Sequence, residues 1–380
     1  MTATAAAPAG AATTAPAPFV PPPYPYDRLD EIVRVAAALP GGAIDLSVGT
    51  PCDPPPPALM AALSASPSSA MGYPSSIGSP ALRQAAARWI ARRLNGPELD
   101  PAREIAACVG TKEFVASVPQ YLKLRRPDRD TVLYPAISYP TYEMGATLAG
   151  VRAVPYLRLA DIAAEDAARA LCLWVNSPSN PTGELSDLGE AAAWGRARGV
   201  PVLSDECYAE FTWDGPARTI LEHGPDGVLA VHSLSKRDNF AGGRIGFYAG
   251  DRELVHYLGE VRKHAGFMPP GPMQGAAVLA LDDDEHVEAQ RERYLNRLRR
   301  AQQILAACGL EAPLPAGTFY LWAPVAAGTA WEVTRSLAER AGIVVSPGEF
   351  YGAAGEDFLR IAVVQPDEKI ELAAQRVGLA

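Results

Sequence analysis

Val228-Leu-Ala-Val-His-Ser-Leu-Ser-Lys236-Arg-Asp-Asn-Phe-Ala-Gly-Gly-Arg244-Ile-Gly-Phe-Tyr248 is the stretch from which the fold is read. It joins two apolar strands, Val228–Val231 and Ile245–Tyr248, through a turn that carries Lys236 between hydroxyls and Arg244 eight residues later. A lysine just past a strand can hold its amine against an aldehyde while Ser233, Ser235 and the Arg244 guanidinium bind a phosphate dianion. A lysine met alone is far more often a solvated loop residue, so the rest of the chain has to decide.

Outward from this stretch, short apolar runs alternate with helical patterns: Ile105–Val109, Val132–Tyr134, Leu171–Val175 and Val202–Leu203. This is the rhythm of an α/β fold with a mostly parallel sheet. Ser79 caps, Pro80 opens and Gly96 stops a helix predicted over 79–95. From His256 the pattern changes to a long charged helix, Met273–Ala307, and then to strands near Phe319–Trp322, Ile343–Val345 and Leu359–Val364. The expected organisation is a disordered Ala/Pro-rich tail (1–18), an N-terminal arm and helix associated with the small domain (19–43), a large domain (44–255) and a long connecting helix with a small α+β domain (256–380).

Bulk properties bound the function. The chain has 380 residues, 48% of them hydrophobic, enough for a large core. Its 43 acidic against 34 basic residues give a net charge of −9, which speaks against nucleic acid or anionic membranes as partners. Five cysteines stand singly, without the spacing of a disulfide framework or a metal site. The N-terminal stretch lacks the basic start and apolar middle of a secretory signal, and no apolar run approaches the ~20 residues of a membrane span. A cytoplasmic enzyme is expected.

Further residues cluster at strand ends, where α/β folds place ligands. Asp205 ends the run Val200–Ser204 and can keep a pyridine nitrogen protonated, although a helix cap explains it equally well in isolation. Tyr208 and the amide of Asn180 can reach a phenolic oxygen; Asn180 also lies in a stretch of turn formers that reads as a plain connection. Gly110-Thr111-Lys112 follows one strand and opens a helix, presenting backbone N–H groups to a phosphate. Tyr139 can stack on a ring, and the guanidinium of Arg360 suits an α-carboxylate, with a structural ion pair as the even alternative. Together these are the needs of pyridoxal 5′-phosphate (PLP).

With those residues in view, the chain resembles the class I/II aminotransferases of PLP fold type I over roughly residues 20–380. The shared order runs through Gly49 in Ser47-Val48-Gly49-Thr50-Pro51, Gly72-Tyr73-Pro74, Gly110-Thr111-Lys112, Tyr139-Pro140, Asn180-Pro181-Thr182-Gly183, Asp205-Glu206-Cys207-Tyr208, Ser233–Lys236, Arg244 and Arg360. Within the family it is most similar to actinobacterial-type N-succinyl-LL-2,6-diaminopimelate aminotransferases, through Asp45–Pro51, Tyr139–Glu143, Ser204–Tyr208, Val231–Arg237 and Arg262-Lys263-His264-Ala265-Gly266.

The resemblance implies a large domain with a mixed, mostly parallel sheet. It also implies amino-acid and 2-oxo-acid substrates, with glutamate as donor and a succinylated amino-keto-pimelate as acceptor. Lys236 would form the Schiff base and Asp205 would face the pyridinium. Tyr208 and Asn180 would bind the phenolic oxygen, and Thr111, Ser233, Ser235 and Arg244 the phosphate. Tyr139 would stack on the ring, while Arg360, with Asn180 and the Gly49 backbone, would receive the substrate. Tyr73 would reach the phosphate of the other subunit in a homodimer. Carbon–sulfur lyases share these motifs, and regulatory proteins of the same fold carry an added basic DNA-binding domain. Two departures from the family pattern bear on specificity: Gly243, where a bulkier residue is usual, and Asp238-Asn239-Phe240 after the lysine.

Overall fold

A computed structural model describes residues 18–64 and 71–379. The tail expected over 1–18 falls, save for Pro18, outside the described residues. Strand β1 (Ile44–Asp45) starts the ordered core. The central sheet then takes β2 (Ile105–Cys108), β3 (Thr131–Pro135), β4 (Arg152–Tyr156), β5 (Ala170–Asn176), β6 (Val202–Asp205), β7 (Val228–Ser233) and β8 (Gly246–Gly250). Their order is β2-β8-β7-β6-β5-β3-β4, with β8 antiparallel to both neighbours and the β3–β7 pairings parallel. The fold is therefore α/β with a mixed, mostly parallel sheet.

The strands are near-continuous apolar runs because helices cover both faces. Leu133, Leu173, Val202 and Ala230 pack with Trp89, Ile90 and Ala277 on one side. Val132, Trp174, Leu203 and Val231 pack with Phe114, Val115 and Leu254 on the other. Ser79 caps the helix Pro80–Arg93 by accepting from the Leu82 N–H at 3.2 Å. Strand β4 escapes sequence reading because it is an edge strand with half-exposed residues and no apolar run.

The register brings the carboxyl ends of the strands together. Asn176 pairs with Asp205, and Asp205 with Val231. Gly246 at the start of β8 faces both Ser233 and Cys108. One sheet edge thus collects the segments after β2, β5, β6 and β7.

A second layer contains β9 (Tyr320–Pro324), β10 (Ile343–Val344), β11 (Ser346–Pro347) and β12 (Phe358–Ala362), ordered β11-β12-β9 with β10 paired to β1. The helix Asp30–Ala37 packs on Ala330–Ala341. Ile44 and Leu46 belong to this layer's core, so the arm's association extends past the expected limit at 43.

The division expected at 255/256 falls inside the helix Arg252–His264, whose Leu254, Val255 and Leu258 pack under the large sheet. The expected helix 273–307 is two, Gly271–Asp282 and Glu285–Ala307. The first packs on the large-sheet core through Ala276, Ala277 and Ala280. Asp283 and Asp284 make the break, Asp283 turning its carboxylate back to the Glu285 N–H at 3.0 Å. Aspartates favour such termini because the side chain competes for backbone donors.

Candidate active site

A cavity of about 470 Å³ opens at the collecting edge, and residues from both layers line it. From the large sheet come Thr111, Lys112, Tyr139, Asn180, Asp205 and Tyr208, with Ser233, Ser235, Lys236 and Arg244 from the turn after β7. Gly49 and Arg360 arrive from the other layer. Of the residues singled out in the sequence, Gly110 stands just behind the wall, while Tyr73 lies outside it and is 96% exposed.

Lys236 sits in the short helix Leu234–Arg237, whose start is capped by the Ser233 hydroxyl accepting from the Ser235 N–H at 3.1 Å. Its ammonium donates to the Gly49 carbonyl. Burial brings the amine down from 10.5 to about 8, and Arg360 and Arg244 push the same way against Cys207 and Asp205. At neutral pH a usable fraction of the amine is free of its extra proton.

Arg244 adopts a left-handed backbone with φ 47°, a conformation that costs a non-glycine residue energy and is retained where the surroundings demand it. Its guanidinium lies against Gly110. A Cβ there would come within 2.3 Å of Nη2, and Gly110 itself has φ +78°. Only glycine satisfies both conditions, and the close approach sets the guanidinium at the start of the helix Thr111–Arg125.

Asp205 is 7% exposed. Burial raises its carboxyl pKa, opposed by the donors around it. The Tyr142 hydroxyl reaches Oδ2 at 2.8 Å and the Cys207 N–H reaches Oδ1 at 3.2 Å. Asn176 ties the neighbouring segments together, donating to the Asp205 carbonyl at 2.8 Å and accepting from the Asn180 N–H at 2.7 Å. Tyr208 and Tyr320 share a hydroxyl contact of 2.7 Å.

Arg360 is 2% exposed. Strand alternation correctly gives it one face of an apolar strand, but the partner is not a carboxylate: among the described residues Arg360 forms no ion pair. Its guanidinium donates to Asn180 Oδ1 at 2.9 Å, to the Tyr26 hydroxyl at 3.1 Å and to the Ser47 carbonyl. It lies 4.2 Å from the Tyr320 ring centre and 4.6 Å from that of Tyr351, with Nε buried and unpartnered. A buried guanidinium so arranged keeps its charge for an arriving anion.

Tyr26, Tyr142, Asn176 and Tyr320 were not singled out from the sequence. Tyr142 carried a signal, standing three residues after Tyr139 on a helix that opens at Thr141. Tyr26 lies in a proline-rich arm and Tyr320 in a strand, and neither carried one. The two departures after the lysine explain each other, since a Cβ on Gly243 would sit 2.0 Å from the Phe240 ring. The Phe240 ring takes up the room that a larger residue at 243 would need.

The donor set fits PLP. A lysine amine with a lowered pKa, a buried carboxylate facing the cavity, two serine hydroxyls with Thr111 and Arg244, and a glycine that admits the guanidinium match an aldehyde, a pyridine nitrogen and a phosphate.

Comparison with known proteins agrees. The profile of the family "Aminotransferase class I and II" matches residues 42–377. The chain is 43% identical over 364 residues to the 4-dedimethylamino-4-oxo-anhydrotetracycline transaminase OxyQ of Streptomyces rimosus, covering 94% of this chain and 99% of OxyQ. It is 33% identical to the LL-diaminopimelate aminotransferase of Desulforudis audaxviator, covering 94% and 95%. The solved structure of a probable N-succinyldiaminopimelate aminotransferase from Thermus thermophilus superposes with a TM-score of 0.81 at 32% identity, covering 93% of this chain and 98% of that one. The protein belongs to the class I and II aminotransferases, which work with pyridoxal 5′-phosphate.

Proposed function

We propose that this aminotransferase moves an amino group between glutamate, with 2-oxoglutarate as its keto form, and N-succinyl-LL-2,6-diaminopimelate. One observation carries the reading: beside Lys236 and Arg244, which the cofactor would take up, two further cations without an ion pair among the described residues line the same cavity. Arg360 is one. Lys112 is the other, exposed at the rim with its ammonium 5.4 Å from the Tyr24 ring centre. Arg360 takes the α-carboxylate and Lys112 the far carboxylate of a long or dicarboxylic substrate. The resemblance to diaminopimelate enzymes supports the same choice.

Their placement around the cavity supports a role for each residue. Thr111, Ser233, Ser235 and Arg244, with the N–H groups after Gly110, would hold the phosphate of PLP. Asn180 and Tyr208 would orient its phenolic oxygen, and Tyr139 would cover its ring. PLP, when bound, supplies the electron-withdrawing ring that accepts the electrons released when the substrate's α-C–H bond breaks. Lys236 would anchor the cofactor, and its Nζ, when free of it, would take the substrate's α-proton and later give a proton back. Asp205 would present its carboxylate to the ring nitrogen. Tyr73, exposed in the single chain, completes the phosphate site of a second subunit in a homodimer. Because one site serves both half-reactions, the kinetics are ping-pong.

The 43% identity to OxyQ favours one second reading, an acceptor with a ketone on a polycyclic skeleton. A coupled assay tests the first reading: 2-oxoglutarate-dependent deamination of N-succinyl-LL-2,6-diaminopimelate beside LL-diaminopimelate, aspartate, phenylalanine and cystathionine, with Lys236→Ala as control. Preference for the succinylated substrate is expected. Preference for any of the others, or pyruvate from cystathionine without an acceptor, overturns the substrate assignment.

A further inference from the structure

Asp205 must stay ionised in a place where burial works against its charge. Two residues donate to its carboxylate among the described residues: one, Cys207, does so through its backbone N–H, which survives any substitution, and through its side chain. The other is the Tyr142 hydroxyl. Tyr142 is fully buried, lies 5.0 Å from the Trp174 ring at 23°, and meets Tyr139 edge-on at 6.0 Å. The ring is held on two sides, so its hydroxyl has one place to go. Desolvation, and then Asp205 itself, raise the phenol well above its ordinary value, which keeps the hydroxyl a donor.

We propose that Tyr142 is a positioning residue for transamination, its hydroxyl fixing the orientation and the charge of the Asp205 carboxylate toward the cofactor's ring nitrogen. The inference rests on Asp205 being the partner of that nitrogen. Packing alone would explain a buried tyrosine, but packing does not require an oxygen aimed at a carboxylate. A buried, charged acceptor that loses a donor becomes more basic and draws the proton of the ring nitrogen toward itself. The ring then withdraws electrons less strongly and the cofactor is held less tightly.

The test is a double-mutant cycle on the PLP-loaded enzyme with Tyr142→Phe, Asp205→Asn and the pair. Two quantities are read besides turnover: the dissociation constant of PLP, and the pH midpoint of the bound cofactor's visible absorbance. Tyr142→Phe alone is expected to weaken PLP binding roughly 10- to 100-fold and to raise the midpoint, and to change both by less than about twofold when Asp205 is already asparagine. No change from Tyr142→Phe while Asp205→Asn weakens binding overturns the proposal. So do effects that add in full, because they mean Tyr142 acts by packing. If Asp205→Asn itself changes neither quantity, the assignment of Asp205 fails and the inference goes with it. Tyr142→Leu, which also lacks the hydroxyl, serves if the phenylalanine variant does not fold and is held to the same outcomes.

Discussion

Removing the charge of Lys236 from the cofactor-free protein should make it more stable, and the gain should fade as pH rises. The folded chain lets the Lys236 proton go near pH 8, mainly because of burial, whereas the unfolded chain holds it to about 10.5. Below pH 8 both states carry the proton, and the folded state bears the full cost of a desolvated ammonium, about 3 kcal/mol. Between 8 and 10.5 the unfolded state binds more protons, so stability climbs with pH; above 10.5 the cost is gone. Lys236→Met keeps most of the apolar stem and removes the charge, at the expense of the hydrogen bond to the Gly49 carbonyl, worth about 1 kcal/mol. The net expectation at pH 7 is a gain of about 2 kcal/mol. Urea unfolding of both cofactor-free proteins at one protein concentration, at pH 7, 8, 9 and 10, measures it. Equal stability at pH 7, or a difference that does not close toward pH 10, would refute the reasoning.

Arg360→Met should lower kcat/KM for both the amino donor and the keto acceptor at least 30-fold, about 2 kcal/mol, since a guanidinium without a carboxylate partner among the described residues is free to spend its strength on the substrate. Equal losses for an amine without an α-carboxylate would count against that role, and steady-state kinetics on the two substrates decides. Lys112→Ala should raise KM for the succinylated substrate several-fold and leave that for alanine within about twofold, because an exposed ion pair contributes about 1 kcal/mol or less. Gly110→Ala should weaken PLP binding at least tenfold, its Cβ striking the Arg244 guanidinium at 2.3 Å in a backbone that already favours glycine, as cofactor titration would register.

The large sheet was legible because its strands are buried on both faces and so read as apolar runs, and because one strand end after another carries a polar residue, Asn176, Asp205 and Ser233. Legibility failed where burial is partial or where partners come from far away in sequence. Strand β4 has no apolar run. The helix Gly271–Asp282 looked continuous with Glu285–Ala307 because the break at Asp283-Asp284 disturbs polarity hardly at all, yet the first packs on the large sheet and the second on the other layer. In the site, the sequence yielded residues lying within motifs but not their neighbours. Tyr26 meets Arg360 across 334 residues, and Tyr320 meets Tyr208 across 112. No local pattern reports such pairs.

Arg360 shows why those distant tyrosines matter. A buried guanidinium normally demands a carboxylate, and supplying one from the fold would stabilise the chain while filling the place the substrate needs. Here Tyr320 and Tyr351 offer ring faces, while Tyr26, Asn180 and the Ser47 carbonyl accept hydrogen bonds. Each partner is neutral, so the charge is tolerated without being cancelled. Among the described residues the Arg360 charge is thereby left without an ion pair. Tyr26 comes from the N-terminal arm and Asn180 from the large sheet, so the incomplete shell is assembled only when arm, large sheet and second layer meet. On the proposed reading a substrate carboxylate would complete that shell and bridge the same three parts, which would make binding and the closeness of the layers two aspects of one contact.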